Sequence, residues 1–174
     1  MSTAYQQFFA SCPKGLEGLL QKELLTLGSN SAKETVAGCY FTGSVIMAYR
    51  VCMWSRMANR ILLPLATFEM NTAEELYTGV RSIDWIDHWS GKGSLVVDFT
   101  GRNDEIRHTQ FGAQKTKDAI VDYYRAKGIS RPSVDKREPD MRINVRIHKG
   151  SVTVAWDMSG DSLHRRGYRI DRGL

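Results

Sequence analysis

The chain has 174 residues, 42% of them hydrophobic, which is enough apolar material for the core of one large domain or two small ones. Its three cysteines, Cys12, Cys39 and Cys52, are odd in number and widely spaced, which argues against a disulfide framework or a zinc site and favours a reducing cytoplasm. No apolar run is long enough to cross a membrane, and the N-terminal residues lack the basic region and apolar core of a signal peptide.

Positive charge is distributed unevenly along the chain. The net charge is +5 and the isoelectric point is about 9.2. Residues 1–66 carry +3, residues 67–101 carry −4 and residues 102–174 carry +6. A basic half behind an acidic segment predicts one surface that faces a polyanion, and the isoelectric point favours nucleic acid as that polyanion.

The first 66 residues alternate between strand and helix patterns. Leu16, Leu20 and Leu24 share one face of a helix that Gly28 ends, and Ser44 is placed to cap a second helix. The resulting β-α-β-β-α-β order predicts a ferredoxin-like domain, which is a four-stranded antiparallel sheet with two helices on one face. The predicted elements are a strand over 5–11, a helix over 16–27, strands over 32–37 and 39–42 that turn at Gly38, a helix over 44–58 and a strand over 60–65.

Residues 67–158 form a second predicted unit. Thr72 and Thr109 are expected to cap helices, Gly128 is expected to end the second of these, and Trp85 and Trp89 are expected to anchor the core. The predicted elements are a helix over 73–80, a helical turn over 84–89, a strand over 95–100, a long helix from 109, a loop over 128–140 and strands over 141–148 and 151–157.

The last two strands form a predicted hairpin with a two-residue turn at 149–150. Apolar and polar residues alternate strictly in the first of them, which predicts one buried face. The register pairs Ile143 with Trp156, and Arg142 with Asp157. It leaves Arg146 opposite Thr153, without a partner in the sequence, and therefore makes Arg146 a candidate ligand contact.

Donor side chains crowd the start of the long helix. A helix N-terminus has free N–H groups and a positive dipole end, so cations there work against the helix unless an anion such as phosphate is present. The alternative is a solvated face with weak ion pairs, such as Lys115 with Asp118 and Asp122 with Arg125. The candidate phosphate contacts at the helix start are Arg102, Asn103, Arg107, Gln110, Lys115 and Lys117, and those further along the chain are Arg131, Lys136, Arg137 and Arg146. The resemblance described next implies that the ligand of all ten is RNA.

Five segments together resemble a known family over essentially the whole chain. They are PKGLEGLLQKEL (13–24), CMWSRMANRILLPL (52–65), GRNDEIRHTQFGAQKTKDAIVD (101–122), RPSVDKREPDMRINV (131–145) and SGDSLHRRGYR (159–169). In these segments the sequence is similar to the N-terminal half of bacterial 23S rRNA guanine-N2 methyltransferases of the L type.

The resemblance implies an α+β chain in three parts: a ferredoxin-like domain over 1–66, a THUMP RNA-binding domain over 67–158, and a basic linker over 159–174 toward a methyltransferase domain. It also implies 23S rRNA as partner, a cytoplasmic location, and S-adenosylmethionine as cofactor of the parent enzyme. A disordered basic tail is the alternative for the last segment. The oligomeric state is left open.

The family's glycine-rich cofactor loop and its Asn-Pro-Pro-Tyr-like catalytic motif are absent from this sequence. Paired catalytic carboxylates, clustered metal ligands and a nucleophile with a base are not recognisable either, and His108, His148 and His164 are isolated. We therefore expect a chain with no catalytic, cofactor or metal site, and no activity alone. A THUMP module of a tRNA-modifying enzyme and a protein-interaction module are the alternative functions.

Overall fold

The computed structural model describes residues 5–165, which divide into two compact units. The first unit comprises residues 5–63 and 157–165, and the second comprises residues 64–156. One strand, β4 (Arg60–Glu69), contributes to both units.

The first unit has the predicted β-α-β-β-α-β order. Its strands follow the antiparallel sequence β2-β3-β1-β4, which is the ferredoxin-like arrangement. Leu20, Leu24 and Val51 of the two helices are fully buried, together with Phe8 and Phe41 of the sheet. The elements before β4 are β1 (Gln6–Ser11), α1 (Glu17–Thr26), β2 (Ser31–Thr35), β3 (Gly38–Gly43) and α2 (Val45–Trp54).

The sequence predicts the β2–β3 turn at Gly38, but Gly38 is the first residue of β3 and the turn lies at residues 36–37. Ala37 takes the left-handed conformation there, with φ of 60°. Gly38 is required for another reason: an added Cβ would lie 2.3 Å from the carbonyl oxygen of Ala10 and 2.6 Å from the ring of Phe9. The glycine therefore allows a close approach of β1.

Helix α2 ends at Trp54, although the sequence pattern extended the helix to residue 58. The chain turns away because the carboxylate of Glu23 accepts hydrogen bonds from the hydroxyl of Ser55 (2.5 Å) and the backbone N–H of Arg56 (2.9 Å). Only 13% of the Glu23 side chain is exposed. This contact between distant segments has no local sequence signal.

The residues after the last strand pack within the first unit. The backbone N–H of Met158 donates to the carbonyl of Ile61 at 2.9 Å, and that of Leu163 donates to the carbonyl of Asn59 at 2.9 Å. The Leu163 side chain is buried. The linker predicted over 159–174 begins here, and its residues 166–174, which include Arg166, Arg169 and Arg172, lie outside the described residues.

The second unit places its strands in the order β8-β7-β5-β6, with β5 parallel to both neighbours and β7 antiparallel to β8. Its core cluster includes Trp85 and Tyr124, both with no exposed surface, and Trp89 packs edge-on against Tyr124, as predicted for a core anchor. Its elements after β4 are α3 (Ala73–Arg81), a 3-10 turn (Trp85–Asp87), β5 (Ser94–Thr100), α4 (Thr109–Ala126), β6 (Ser133–Val134), β7 (Met141–His148) and β8 (Ser151–Asp157).

The predicted β7–β8 register is confirmed where Ile143 faces Trp156, and the turn residues Lys149 and Gly150 both have positive φ. The predicted pairing of Arg142 with Asp157 is wrong. Arg142 instead donates to Asp98 of β5 at 2.9 Å. Asp157 forms its ion pair with Arg60 at the start of β4. The sequence pattern predicts the partner strand within the hairpin. It does not predict the parallel neighbour β5, whose Asp98 is 44 residues from Arg142 in the sequence.

The ends of α4 differ in how well the sequence predicts them. The N-cap residue is His108 instead of Thr109, and its side chain accepts no capping bond. At the other end Gly128 has φ of 73° and donates to Arg125, while Ile129 donates to Tyr124, a Schellman arrangement that confirms the predicted stop. The N-terminus is therefore the less satisfied end of this helix.

Candidate nucleic-acid interface

A groove runs along one edge of β5 beside the first half of α4. The short strand β6 pairs only with Ser94 and Leu95, so residues 96–100 of β5 have no strand neighbour on that side within the described chain. The groove has a volume of about 350 Å³, and residues of β5 such as Val97 and Phe99 form one of its walls. An open strand edge beside a helix gives a ligand both backbone and side-chain polar groups.

Helix α4 lines the groove with polar side chains at helical spacing, namely Gln110, Gln114 and Lys117. The Lys117 ammonium donates to Gln114 Oε1 at 3.0 Å and lies 3.6 Å from Asp118. Gln114 in turn donates to Asp118 at 2.9 Å. This chain of contacts holds the ammonium at the groove instead of leaving it free in solvent.

The loop that precedes β7 adds Lys136 to the same groove. Asp98 also lines the groove, but its side chain alternates with those of Val97 and Phe99, so its carboxylate lies on the sheet face opposite α4. Its charge is compensated because the guanidinium of Arg142 donates to it at 2.9 Å from within the sheet. The cations that line the groove are Lys117, whose ammonium also lies 3.6 Å from Asp118, and Lys136, with Gln110 as a neutral donor.

Lys115 lies on a different face of α4 from Lys117. Its ammonium is 2.9 Å from Glu74 of α3 and 5.0 Å from the ring centroid of Tyr77. An ion pair and a cation–π contact therefore account for this residue without an RNA ligand. The weak pair predicted between Lys115 and Asp118 is absent from these contacts, whereas the pair predicted between Asp122 and Arg125 is present at 3.0 Å.

The loop between β5 and α4 contains three more of the candidates. Asn103 accepts from the backbone N–H of Ile106 at 2.7 Å, so its side chain closes the loop. Arg107 is exposed and donates to the carbonyl of Asp104 at 3.1 Å. Arg102 is exposed. None of these three lines the groove, although all lie on the segment that leads into α4.

The loop over 128–140 is held at two points. Asp135 accepts from the backbone N–H of Arg137 at 2.8 Å, and Asp140 accepts from the N–H and hydroxyl of Ser94 at 2.7 and 2.9 Å. The hydrogen bonds from Ser94 lower the pKa of Asp140 below its ordinary value. Arg131 and Arg137 lie on this tethered loop with exposed side chains, outside the groove.

Arg146 is separate from all of these residues. It alternates with the buried Val145 and therefore points from the sheet face opposite α4, where Thr153 and Thr100 are its cross-strand neighbours. Its side chain is exposed. Of the ten candidates, the structure brings together Gln110, Lys117 and Lys136.

The candidate set omitted one groove residue, Gln114. Its spacing of four residues from Gln110 and three from Lys117 is the signal that could have identified it, because these positions share one helix face. Within residues 5–165, no group of three or more potential metal ligands is found. The helices of this described range include none that is long and apolar enough to cross a membrane.

Each of the two units matches a profile of a known domain family. The family profile described as the RlmL ferredoxin-like domain matches residues 7–62. The THUMP domain profile matches residues 70–157, which is just over half of the chain. The chain belongs to the THUMP family. The THUMP match covers α4 and the β5 edge, so the groove lies within that domain.

Curated relatives of this THUMP chain are named ribosomal RNA large subunit methyltransferase K/L. The protein of this name from Cellvibrio japonicus is 58% identical over 96% of the chain, and that from Aeromonas salmonicida is 50% identical over 97%. The chain spans only 22% and 23% of the lengths of these two relatives. The resemblance found in the sequence is therefore confirmed at the level of this group of methyltransferases.

Solved structures extend the similarity of the THUMP chain. A predicted N6-adenine-specific DNA methylase from Listeria monocytogenes str. 4b F2365 matches 98% of the chain, and the chain covers 45% of it, with 25% identity and a TM-score of 0.83. SMU.472, a putative methyltransferase whose structure contains SAH, matches 98% of the chain, and the chain covers 46% of SMU.472, with 26% identity and a TM-score of 0.85. TrmN from Thermus thermophilus, at 18% identity and a TM-score of 0.69, shares the fold.

Proposed function

We propose that this chain is the RNA-binding portion of a 23S rRNA guanine-N2 methyltransferase. It captures a folded rRNA segment in the cytoplasm and presents it to an S-adenosylmethionine-dependent methyltransferase domain elsewhere in the parent protein. The observation that carries this proposal is the 58% identity over 96% of the chain with a ribosomal RNA large subunit methyltransferase. The proposal assigns residues 1–66 to the ferredoxin-like domain, 67–158 to the THUMP domain and 159–174 to a linker.

The catalytic step belongs to the parent protein in this proposal. The relatives are more than four times as long as the matched region, which leaves room for a separate catalytic domain. The SAH in the structure of SMU.472 supports S-adenosylmethionine as the cofactor of such a domain, because SAH is the product left after methyl transfer. The chain alone is expected to transfer no methyl group to RNA.

The β5–α4 groove supports RNA binding through the phosphate backbone. Lys117 and Lys136 supply two ammonium groups, and Gln110 adds an uncharged donor at the first turn of α4. The first turn of this helix contains no acidic residue and the N-cap side chain makes no capping bond, so its N–H groups favour an anion. Contacts of this kind fix the register of RNA without reading bases.

Salt-dependent binding tests the groove. Each phosphate contact that is lost should reduce the slope of log affinity against log salt concentration by about one unit. Lys117→Ala and Lys136→Ala should each weaken binding of the chain to a hairpin taken from 23S rRNA and reduce this slope. Lys115→Ala is the matched control from the same helix, because Lys115 lies outside the groove on another face of α4, against Glu74 and Tyr77.

Two results would contradict the proposal. An unchanged salt slope in both groove variants removes the groove from the interface. A wild-type chain with no salt-sensitive affinity for RNA, but with self-association in sedimentation, supports a protein-interaction module in its place.

A further inference from the structure

The first unit carries a pair of aromatic rings on the face of its sheet that points away from its helices. Phe9 on β1 and Tyr40 on β3 are direct cross-strand partners, with ring centroids 5.1 Å apart and an interplanar angle of 55°. Their neighbours Phe8 and Phe41 point to the opposite face, where they stack in the core at 5.3 Å. Tyr40 is 39% exposed, so an aromatic surface at the centre of this sheet is accessible.

Gly38 determines how the Phe9 ring lies. An added Cβ at Gly38 would come within 2.6 Å of the tip of that ring, so the ring occupies the space that any other residue would fill. Gly38 and Tyr40 share one face of β3 because they are two residues apart. The ring of Phe9 therefore lies against β3 beside Tyr40, which gives a continuous apolar surface.

Towards the edge strand β2 the surroundings of this pair are polar and include a cation, whereas on β4 the cross-strand partner of Phe9 is the apolar Leu62. Lys33 of the edge strand β2 is the cross-strand partner of Tyr40 and is exposed. Beside them is an open space of about 540 Å³ that Gln7 and Thr42 also line. Glu34 borders the same space, but its carboxylate turns to the helix side, where Oε1 lies 3.5 Å from a Cβ built on Gly18.

No carboxylate lies on this face in the described residues of β1, β2 and β3. The residues that alternate onto it are Gln7, Phe9, Ser11, Ser31, Lys33, Thr35, Gly38, Tyr40 and Thr42. Positive charge, hydroxyl and amide groups around the exposed ring of Tyr40 and the half-buried ring of Phe9 match the chemistry of an unpaired nucleotide, since its base stacks and its phosphate is anionic.

We propose that this face is a second RNA site, which holds one or two unpaired bases on Tyr40 and Phe9 while Lys33 contacts the adjoining phosphate. Aromatic side chains on the sheets of RRM domains hold bases in this way. This inference rests on the proposed RNA-binding function, and it adds a site for single-stranded RNA in a different unit from the backbone groove. The two sites would together prefer a hairpin with an unpaired flank over a blunt hairpin.

Affinity for two RNAs tests the site. One RNA is a blunt hairpin from 23S rRNA, and the other is the same hairpin with a six-nucleotide single-stranded flank. Tyr40→Ala should lower affinity for the flanked RNA about tenfold and leave the blunt hairpin unchanged, because stacking on one aromatic side chain is lost. Tyr49→Ala is the matched control, since Tyr49 is 47% exposed on α2 and lies outside the aromatic pair.

Two further substitutions at Tyr40 distinguish base stacking on an aromatic ring from packing against an apolar side chain. Tyr40→Phe keeps the ring and should retain the affinity for the flanked RNA, whereas Tyr40→Leu keeps apolar bulk and should lose it. A 2-aminopurine base placed in the flank should lose fluorescence on binding to the wild-type chain, as a stacked base does, and should keep its fluorescence with Tyr40→Leu.

Failure of this site and failure of the proposed function give different results. Equal affinity of wild type and Tyr40→Ala for the flanked RNA, with salt-dependent binding of the blunt hairpin intact, overturns the aromatic site alone. Absence of salt-dependent binding to the blunt hairpin overturns the groove. In that case the 2-aminopurine fluorescence of an isolated single strand still tests the aromatic site. Quenching on binding supports the site, and absence of quenching overturns it.

Discussion

Arg142 donates a hydrogen bond through Nη1 to Oδ2 of Asp98, its neighbour across β5 and β7, over 2.9 Å. Only 13% of the Arg142 side chain is exposed, whereas 38% of the Asp98 side chain is exposed. Both side chains lie on the sheet face opposite α4, and the anion of the pair is more exposed than its cation. The arginine reduces the repulsion that Asp98 would otherwise exert on a phosphate chain bound in the adjacent groove.

Asp98→Asn should strengthen RNA binding. The amide can still accept from Arg142, while one negative charge close to the groove is removed, which is worth about 0.5–1 kcal/mol or about threefold in affinity at low salt. The same change should lower the free energy of unfolding, because the Arg142 side chain, only 13% exposed, loses its counter-ion. The gain should fade as salt rises, because screening removes the repulsion in the wild type. Titrations at two salt concentrations measure it. Glu105→Gln, an exposed carboxylate outside the groove, is the control, and an equal gain there would mean that net charge alone is responsible.

Asp157→Asn should destabilise the chain. The Asp157 side chain has no exposed surface and pairs with Arg60, whose side chain is 30% exposed. Loss of the carboxylate charge leaves a partly buried guanidinium without its partner, which costs about 3 kcal/mol. Urea unfolding monitored by tryptophan fluorescence measures the change. Asp161→Asn, an exposed position four residues further on, should change the unfolding free energy by less than about 0.5 kcal/mol, and equal effects would contradict the ion-pair argument.

Asp140 should contribute stability that depends on pH. Its pKa is lowered from the ordinary value of 3.8 by hydrogen bonds from Ser94, so the folded state favours the charged form. That stabilisation is present above the ordinary pKa and is lost as pH falls through the lower folded-state pKa. The melting temperature of the wild type should therefore exceed that of Asp140→Asn near neutral pH and approach it below pH 3.8. Glu138→Gln, on the same loop, is the control; a constant difference at all pH values would refute the linkage.

The RNA preference separates the proposed function from a tRNA-modifying module with the same fold. A 23S rRNA hairpin should compete more strongly than a tRNA acceptor stem for the labelled hairpin bound to the chain. The competition is run at one fixed salt concentration, because the backbone contribution depends on salt. Stronger competition by the acceptor stem would favour the tRNA alternative. Equal competition would mean that the chain recognises only helical shape.

Periodicity and turn chemistry in the sequence predict those parts of the fold that depend on near neighbours. The β7 alternation predicts its buried face, and Lys149 and Gly150 set the register that pairs Ile143 with Trp156. Gly128 likewise predicts the end of α4. The same reasoning misplaced the end of α2, because the bonds from Ser55 and Arg56 to Glu23 join segments about thirty residues apart. Local preference carries no information about such a partner.

The candidate site likewise has some features that the sequence predicts and others that only the tertiary structure provides. The sequence by itself determined the two α+β units, the positive charge of residues 102–174 and the helix spacing that aligns Gln110 with Lys117, because all of these follow from composition and period. Only the tertiary structure decided that Lys136 joins them, that Lys115 turns to Glu74, and that Arg142 compensates Asp98. Those relationships depend on which strand and helix become neighbours, and parallel pairing of β5 with β7 is set by the packing of the whole unit.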